Sequence, residues 1–122
     1  MPETKPAITA LTFRFSLEAI ALYKYLKENK EYILSKQLLR SGTSIGANVI
    51  ESQDAQSKSD FISKLSIALK EAKETKYWLS LLFESGYLSN YEDYLKTSED
   101  LDTIISTLVK IIKTTKERYL KK

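Results

Sequence analysis

The distribution of helix-breaking residues constrains this chain more than any other feature. Both prolines, Pro2 and Pro6, lie within the first six residues, and the rest of the 122-residue chain contains only three glycines. Proline and glycine are the strongest local interruptions of regular structure, so their scarcity predicts a few long helices. A chain of this length is typical of one domain with one hydrophobic core. We therefore treat residues 1–122 as a single domain.

The clearest helical periodicity runs through the middle of the chain. Small or apolar residues recur there at alternating spacings of four and three, at Phe61, Leu65, Ala68, Ala72, Thr75, Leu79 and Leu82. This spacing is typical of the contact line in left-handed helix bundles. Shorter stripes predict three further helices, so that the four predicted helices span about residues 12–29, 36–54, 58–85 and 91–119. Because the connections are short, the predicted fold is an all-α, antiparallel up-down four-helix bundle.

Local features suggest where two helices begin and which further residues are buried. Ser35 and Ser57 precede helical stretches, and serine at such positions accepts hydrogen bonds from the first free N–H groups. The pattern also predicts that Phe13, Ile20 and Tyr23 widen the buried stripe of the first helix. Residues 32–34 are expected to pack against the end of the bundle.

The second helix has an unusual composition. From residue 41 to residue 48, every residue except Ile45 is Ser, Gly, Thr, Ala or Asn. Gly42 and Gly46 stand four residues apart, so they share one helix face and are predicted to let a neighbouring helix approach closely. A phosphate-binding glycine loop is the alternative, but it requires a longer spacing and a lysine where Ala47 stands.

The third helix carries a second stripe, about 100° from its contact line. This stripe consists of Ile67, Glu71, Glu74, Trp78 and Leu81. Tryptophan on a helix flank is typical of protein interfaces, because one rigid side chain buries a large area. Ordinary widening of the core would explain the same stripe.

The second helix shows a comparable strip, made of Arg40, Ser44, Ala47 and Glu51. Arg40 and Glu51 lie three turns apart, roughly 16 Å, so they cannot pair with each other. Either both charges are solvated, or each meets an opposite charge across a subunit boundary. We predict that these flanks of the second and third helices form a homo-oligomer interface, in which Ser44 and Ala47 allow close approach.

Charges are segregated along the fourth helix, with acidic residues in its first half and basic residues near its end. The basic residues are Lys110, Lys113, Lys116, Arg118, Lys121 and Lys122, and Glu117 alone opposes them. Matching of charges to the helix dipole is one explanation. The other is that this end binds the phosphates of a nucleic acid, which gathering several chains in one oligomer would strengthen.

Several chemistries lack the residues they require. The chain contains no histidine and no cysteine, which removes disulfides, thiolates and the commonest acid–base and zinc-binding side chain. It has no apolar run long enough to span a membrane, and no secretory signal is recognisable. The sequence thus predicts a cytoplasmic protein without enzymatic activity, cofactor, metal or membrane contact.

Three motifs resemble those of a known family. The segments at residues 37–51, 55–62 and 67–79 are similar to the bacterial four helix bundle family. That family includes proteins encoded in intervening sequences of large-subunit ribosomal RNA genes, and it is similar to the accessory variability determinant of diversity-generating retroelements. Arg40 and Glu51 match positions typical of the family, whereas the basic end of the fourth helix lies outside the motifs.

The resemblance implies a homopentameric ring of bundles and possible binding of nucleic acid. The function expected from the sequence is therefore a non-catalytic oligomer, a pentamer by the resemblance, that binds RNA or DNA, with RNA favoured, through its basic residues. The alternative is a structural or adaptor ring that binds another protein and no nucleic acid. A basic rim on the assembly would favour the first function, and an exposed apolar patch outside the subunit interface would favour the second.

Overall fold

The computed structural model describes residues 7–120, which form four α-helices. The helices are α1 (Ile8–Glu28), α2 (Leu34–Gln53), α3 (Lys58–Glu84) and α4 (Tyr94–Leu120). Each helix packs against its neighbours in the chain, and α4 closes the arrangement by packing against α1. The predicted all-α four-helix bundle is confirmed. In this square arrangement the α1–α2 side of the bundle lies opposite the α3–α4 side.

The core follows the predicted contact lines. On α3 the buried residues are Leu65, Ala68, Ala72, Thr75, Leu79 and Leu82, while Phe61 is half-buried. Phe15, Leu22 and Leu26 supply the matching line on α1. Burial of each large apolar side chain contributes about 1.5–3 kcal/mol, so these lines hold the four helices together.

The two glycines of α2 lie against α1. A Cβ atom at Gly42 would stand 2.9 Å from the Cβ of Ala19, and one at Gly46 would stand 3.3 Å from the carbonyl oxygen of Thr12. Carbon atoms normally pack about 3.5–4.0 Å apart. The glycine face therefore sets how closely α1 and α2 approach.

The start of α2 differs from the prediction that Ser35 caps it. Glu31 takes that role, and its carboxylate accepts hydrogen bonds from the N–H groups of Ile33, Leu34 and Ser35 at 3.2, 3.2 and 2.6 Å. The Ser35 hydroxyl donates to the Glu31 carbonyl at 2.9 Å, inside the first turn. The prediction for Ser57 is confirmed, since its hydroxyl accepts from the N–H of Asp60 at 3.0 Å.

Some residues assigned to the core lie at the surface instead. Phe13 is 67% exposed and Ile20 is 36% exposed, so the predicted widening of the α1 stripe is wrong at these two positions, whereas Tyr23 is half-buried. The hollow beside Phe13 is lined on α2 by Gly46, Ala47, Ile50 and Glu51, and the small Gly46 and Ala47 leave the aromatic ring uncovered. Tyr32 and Ile33 are also exposed, whereas Leu34 packs partly buried against the core as predicted.

Candidate nucleic-acid interface and neighbouring surfaces

Lysines line an open groove between α3 and α4. Lys113 and Lys116 of α4 border a hollow of about 340 Å³, together with Leu69, Val109, Ile112 and Glu117. The floor of the hollow is aliphatic and its rim is charged. Such a rim places the lysine ammonium groups at the surface above an aliphatic base.

A second hollow adjoins the first on the α3 side. It is lined by Ser66, Leu69, Lys70 and Lys73, so Leu69 belongs to both hollows. We call Lys70, Lys73, Lys113 and Lys116 the basic α3–α4 surface. All four side chains are exposed, and within residues 7–120 none of them forms an ion pair.

The basic residues predicted from the sequence all lie on α4 or just after it, and Lys70 and Lys73 of α3 are not among them. These two lysines precede the Glu74–Trp78 segment on a helix of mixed charge, so nothing in their local sequence marks them. The antiparallel pairing of α3 with α4 brings them beside the basic half of α4. Lys121 and Lys122 lie outside the described residues.

The helix dipole accounts for less of the charge segregation on α4 than the sequence suggested. The first turn of α4 contains no acidic residue, and Arg118 is the basic residue of its last turn. Dipole effects fade beyond the terminal turns. Lys110 and Lys113 lie 10 and 7 residues before the helix ends at Leu120, so dipole matching does not account for them.

The acidic residues in the first half of α4 have partners of their own. Asp102 accepts a hydrogen bond from Lys76 of α3 at 2.7 Å, and Asp100 accepts one from Lys96 at 2.9 Å. The first half of α4 is thus partly neutralised locally. The second half keeps its positive charge at the surface.

The charged residues of the α2–α3 flank pair within the chain. Arg40 donates to Glu71 at 3.3 Å and also to Glu74, and Lys64 donates to Glu51 at 3.3 Å. Neither alternative for Arg40 and Glu51 included these partners, but the two side chains remain 50% and 58% exposed, so the subunit interface stays a prediction. Their partners lie on α3 of the same chain, because antiparallel packing sets these residues side by side.

The remaining residues of the α2–α3 flank do not all fit one explanation, either widening of the core or a subunit interface. Trp78 packs partly buried against the core, and its indole N–H donates to Glu74 at 3.0 Å. Ile67 and Leu81 stay exposed, as an interface would require. The Ser44 hydroxyl donates to the carbonyl of Arg40 at 2.8 Å, within its own helix.

An apolar surface lies on the side of the bundle opposite the basic α3–α4 surface. Phe13, Leu17 and Ile20 of α1 and Ile50 of α2 are 67%, 53%, 36% and 55% exposed, and we call them the apolar α1–α2 face. Beside Phe13 and Ile50 lies a hollow of about 510 Å³, which is also lined by Thr9, Thr12, Ser16, Gly46, Ala47 and Glu51. Two residues of the predicted interface, Ala47 and Glu51, thus border this hollow.

Within residues 7–120, no group of three or more Asp or Glu side chains is arranged to hold a metal ion. None of the four helices has a stretch apolar and long enough to cross a lipid bilayer.

Comparison with known proteins identifies the family. The chain is similar to a crystal structure of a protein of unknown function from the S23 ribosomal protein family of Bacteroides thetaiotaomicron, with a TM-score of 0.83 and 48% sequence identity. The similarity covers 88% of this chain and 99% of that one. A search of curated proteins gives no match. Residues 5–110 match the family described as 23S rRNA-intervening sequence protein, so the match ends before Lys113 and Lys116. The chain belongs to the 23S rRNA-intervening sequence protein family.

Proposed function

We propose that this protein is a non-catalytic, self-associating helix bundle that binds RNA through the basic α3–α4 surface. The observation that carries the proposal is the convergence of exposed lysines from two helices on one groove, without ion-pair partners in residues 7–120. The family description, which refers to 23S rRNA, supports RNA as the nucleic acid.

The arrangement suits phosphate rather than a discrete small ligand. Lys70 and Lys73 lie along α3, and Lys113 and Lys116 lie along α4. The ammonium groups therefore form two rows. The axes of packed helices lie about 8–10 Å apart, and the rows are therefore separated by a similar distance. Lysine binds phosphate as a point charge without reading bases, so we expect affinity that depends on salt and little on sequence.

Self-association is the second part of the proposal. Exposed, contiguous apolar side chains such as those of the apolar α1–α2 face are typical of interaction surfaces. We propose that copies of the chain associate through this face, and that Ala47 and Glu51 at its edge take part. The assembly would be the pentamer that the family resemblance implies.

The positions of the two surfaces make these functions compatible. The apolar α1–α2 face and the basic α3–α4 surface lie on opposite sides of the bundle, so association through one leaves the other free. An assembly would then present several basic surfaces to one RNA. Each additional contact would be intramolecular and would raise the overall affinity.

The test is binding of a fluorescent structured RNA and of duplex DNA to the full chain at low salt. We expect Lys113→Gln/Lys116→Gln and Lys70→Gln/Lys73→Gln each to weaken binding by about tenfold or more. The matched control is Lys30→Gln/Lys36→Gln, which removes the same charge at the α1–α2 turn, away from the groove. Equal losses in all three variants, or no binding at low salt, would overturn the proposal.

One observation favours the alternative, a ring that binds another protein. Tyr32, Ile33, Tyr87 and Leu95 are exposed around the bundle end where α1 meets α2 and α3 meets α4. These residues lie outside the apolar α1–α2 face and could contact a protein partner. If the chain binds no nucleic acid but Ile33→Ser/Leu95→Ser abolishes a complex isolated with the full chain, this function replaces the first.

A further inference from the structure

An acidic side chain of α1 is enclosed by α4 without the hydrogen bonds that a carboxylate requires. The side chain of Glu18 is only 16% exposed, and both carboxyl oxygens are buried and accept no hydrogen bond. The nearest cation is Lys96, whose Nζ lies 3.7 Å from Oε1, and the buried hydroxyl of Thr97 also lacks a partner. Burial of an ionised carboxylate without donors is costly, so this environment favours the neutral acid.

The charged groups around Glu18 come from both helices and from the segment before α4. Lys96 of α4 contacts both carboxyls, with its Nζ 3.7 Å from Glu18 Oε1 and 2.9 Å from Asp100 Oδ2. Arg14 of α1 lies near Asp100, and Tyr91, which precedes α4, lies near Glu18. Lys96 donates its hydrogen bond to Asp100, at 2.9 Å. Asp100 is therefore the ionised member of the pair, and the lysine is already engaged.

We propose that Glu18 and Asp100 share a single proton across the α1–α4 contact, and that loss of this proton to solvent loosens α4 from α1. With the proton present, the Glu18 carboxyl donates to the Asp100 carboxylate. Without it, two carboxylates face each other and one lysine serves both. The contact is suited to such a response, because α1 and α4 are the least extensively packed of the neighbouring helices.

The electrostatics of the pair agree with this geometry. Burial, followed by hydrogen bonding to and repulsion by Asp100, raises the pKa of Glu18 to about 7. For Asp100 burial acts in the opposite sense, but hydrogen bonds from Glu18 and Lys96 outweigh it and lower the pKa of that carboxyl. The pair would thus respond near neutral pH.

The sign of the pH dependence follows from the raised pKa. Glu18 has an ordinary value of 4.5 when unfolded and about 7 when folded, so the folded state holds the proton more tightly. The stability that it contributes is complete below a pH of about 4.5 and is lost as pH rises through about 7. The shift corresponds to a fall of up to about 300-fold in the folding equilibrium constant over this window.

The first measurement is a ¹³C NMR titration of the glutamate side-chain carboxyls in the full chain, with Glu18 identified by its loss in Glu18→Gln. We expect the Glu18 carboxyl to titrate between about pH 6 and 8, far above an exposed glutamate. Titration near its ordinary value would overturn the proposal. This measurement uses the unmodified protein, so it does not depend on whether any variant folds.

The second measurement follows the loosening itself. Corrected for intrinsic rates, amide hydrogen exchange in α1 and α4 should be faster at pH 8 than at pH 6, whereas exchange in the α2–α3 pair should change little. Glu18→Gln should remove this difference, and the matched exposed substitution Glu99→Gln on α4 should preserve it. Equal acceleration in all four helices, or a difference that persists in Glu18→Gln, would contradict the proposal. Neither measurement depends on nucleic-acid binding.

Discussion

Substitution of Gly42 by alanine offers the sharpest test of how α1 and α2 pack. The new methyl group would stand 2.9 Å from the Cβ of Ala19, and that atom is fixed to the α1 backbone, so neither group can rotate away. Restoring a contact of about 3.5–4.0 Å therefore requires α1 and α2 to separate by roughly 0.6–1.1 Å. This movement would disturb the packing of Phe15, which lies beside Gly42.

Two opposing effects determine how much Gly42→Ala changes the free energy of unfolding. Overpacking of a core typically costs about 1–3 kcal/mol. Replacing glycine by alanine within a helix returns roughly 1 kcal/mol through helix propensity. We therefore expect Gly42→Ala to lower the free energy of unfolding by up to about 2 kcal/mol.

A double-mutant cycle separates the clash from the change in propensity. Ala19→Gly should destabilise the wild-type background by roughly 1–2 kcal/mol, because it lowers helix propensity and removes a buried methyl group. In the Gly42→Ala background the same substitution relieves the contact, so its cost should shrink by about 1 kcal/mol or more. Urea unfolding at one fixed protein concentration measures all four proteins. A stabilised Gly42→Ala variant with no coupling to position 19 would refute the close contact.

Three further predictions follow from other contacts. Glu31→Ala should lower the free energy of unfolding by about 0.5–2 kcal/mol, because three N–H groups at the start of α2 lose their acceptor, and urea unfolding would detect it. Arg40→Met should lower the free energy of unfolding by less than about 1 kcal/mol, because the Arg40 side chain is 50% exposed and solvent screens its two ion pairs. A loss well above that value would show that the ion-pair network is structurally essential. Phe13→Ser/Ile50→Ser should shift the assembly to smaller species in light scattering without loss of helicity, whereas an unchanged mass would place the interface elsewhere.

Features that depend on one helix at a time were predictable from the sequence. The line from Leu65 to Leu82 could be read because the spacing of buried residues is a property of α3 itself. The cap at Ser57 was equally local, since the residue and the N–H group that it accepts from are three positions apart. The capping role of Glu31 was not predicted, because Glu31 lies before the helix and glutamate is not among the preferred N-cap residues.

Features that depend on the register between helices were not predictable in this way. The partners of Arg40 lie 31 and 34 residues away, and only the antiparallel packing of α2 and α3 brings them together. The same limit applies to Lys70 and Lys73, whose relation to α4 is absent from their local sequence. Phe13 was assigned to the core because periodicity describes its own helix and not the size of the residues opposite it.

The measurement that most directly tests the central claim is the salt dependence of RNA binding by the full chain. If lysine–phosphate contacts drive binding, the logarithm of the association constant should fall linearly with the logarithm of salt concentration, with a slope of roughly −0.7 to −0.9 per phosphate contacted. Lys113→Gln/Lys116→Gln should flatten that slope, and Lys30→Gln/Lys36→Gln should leave it unchanged. Binding that is insensitive to salt, or a slope that the control changes as much as the groove variant, would contradict phosphate recognition by the basic α3–α4 surface.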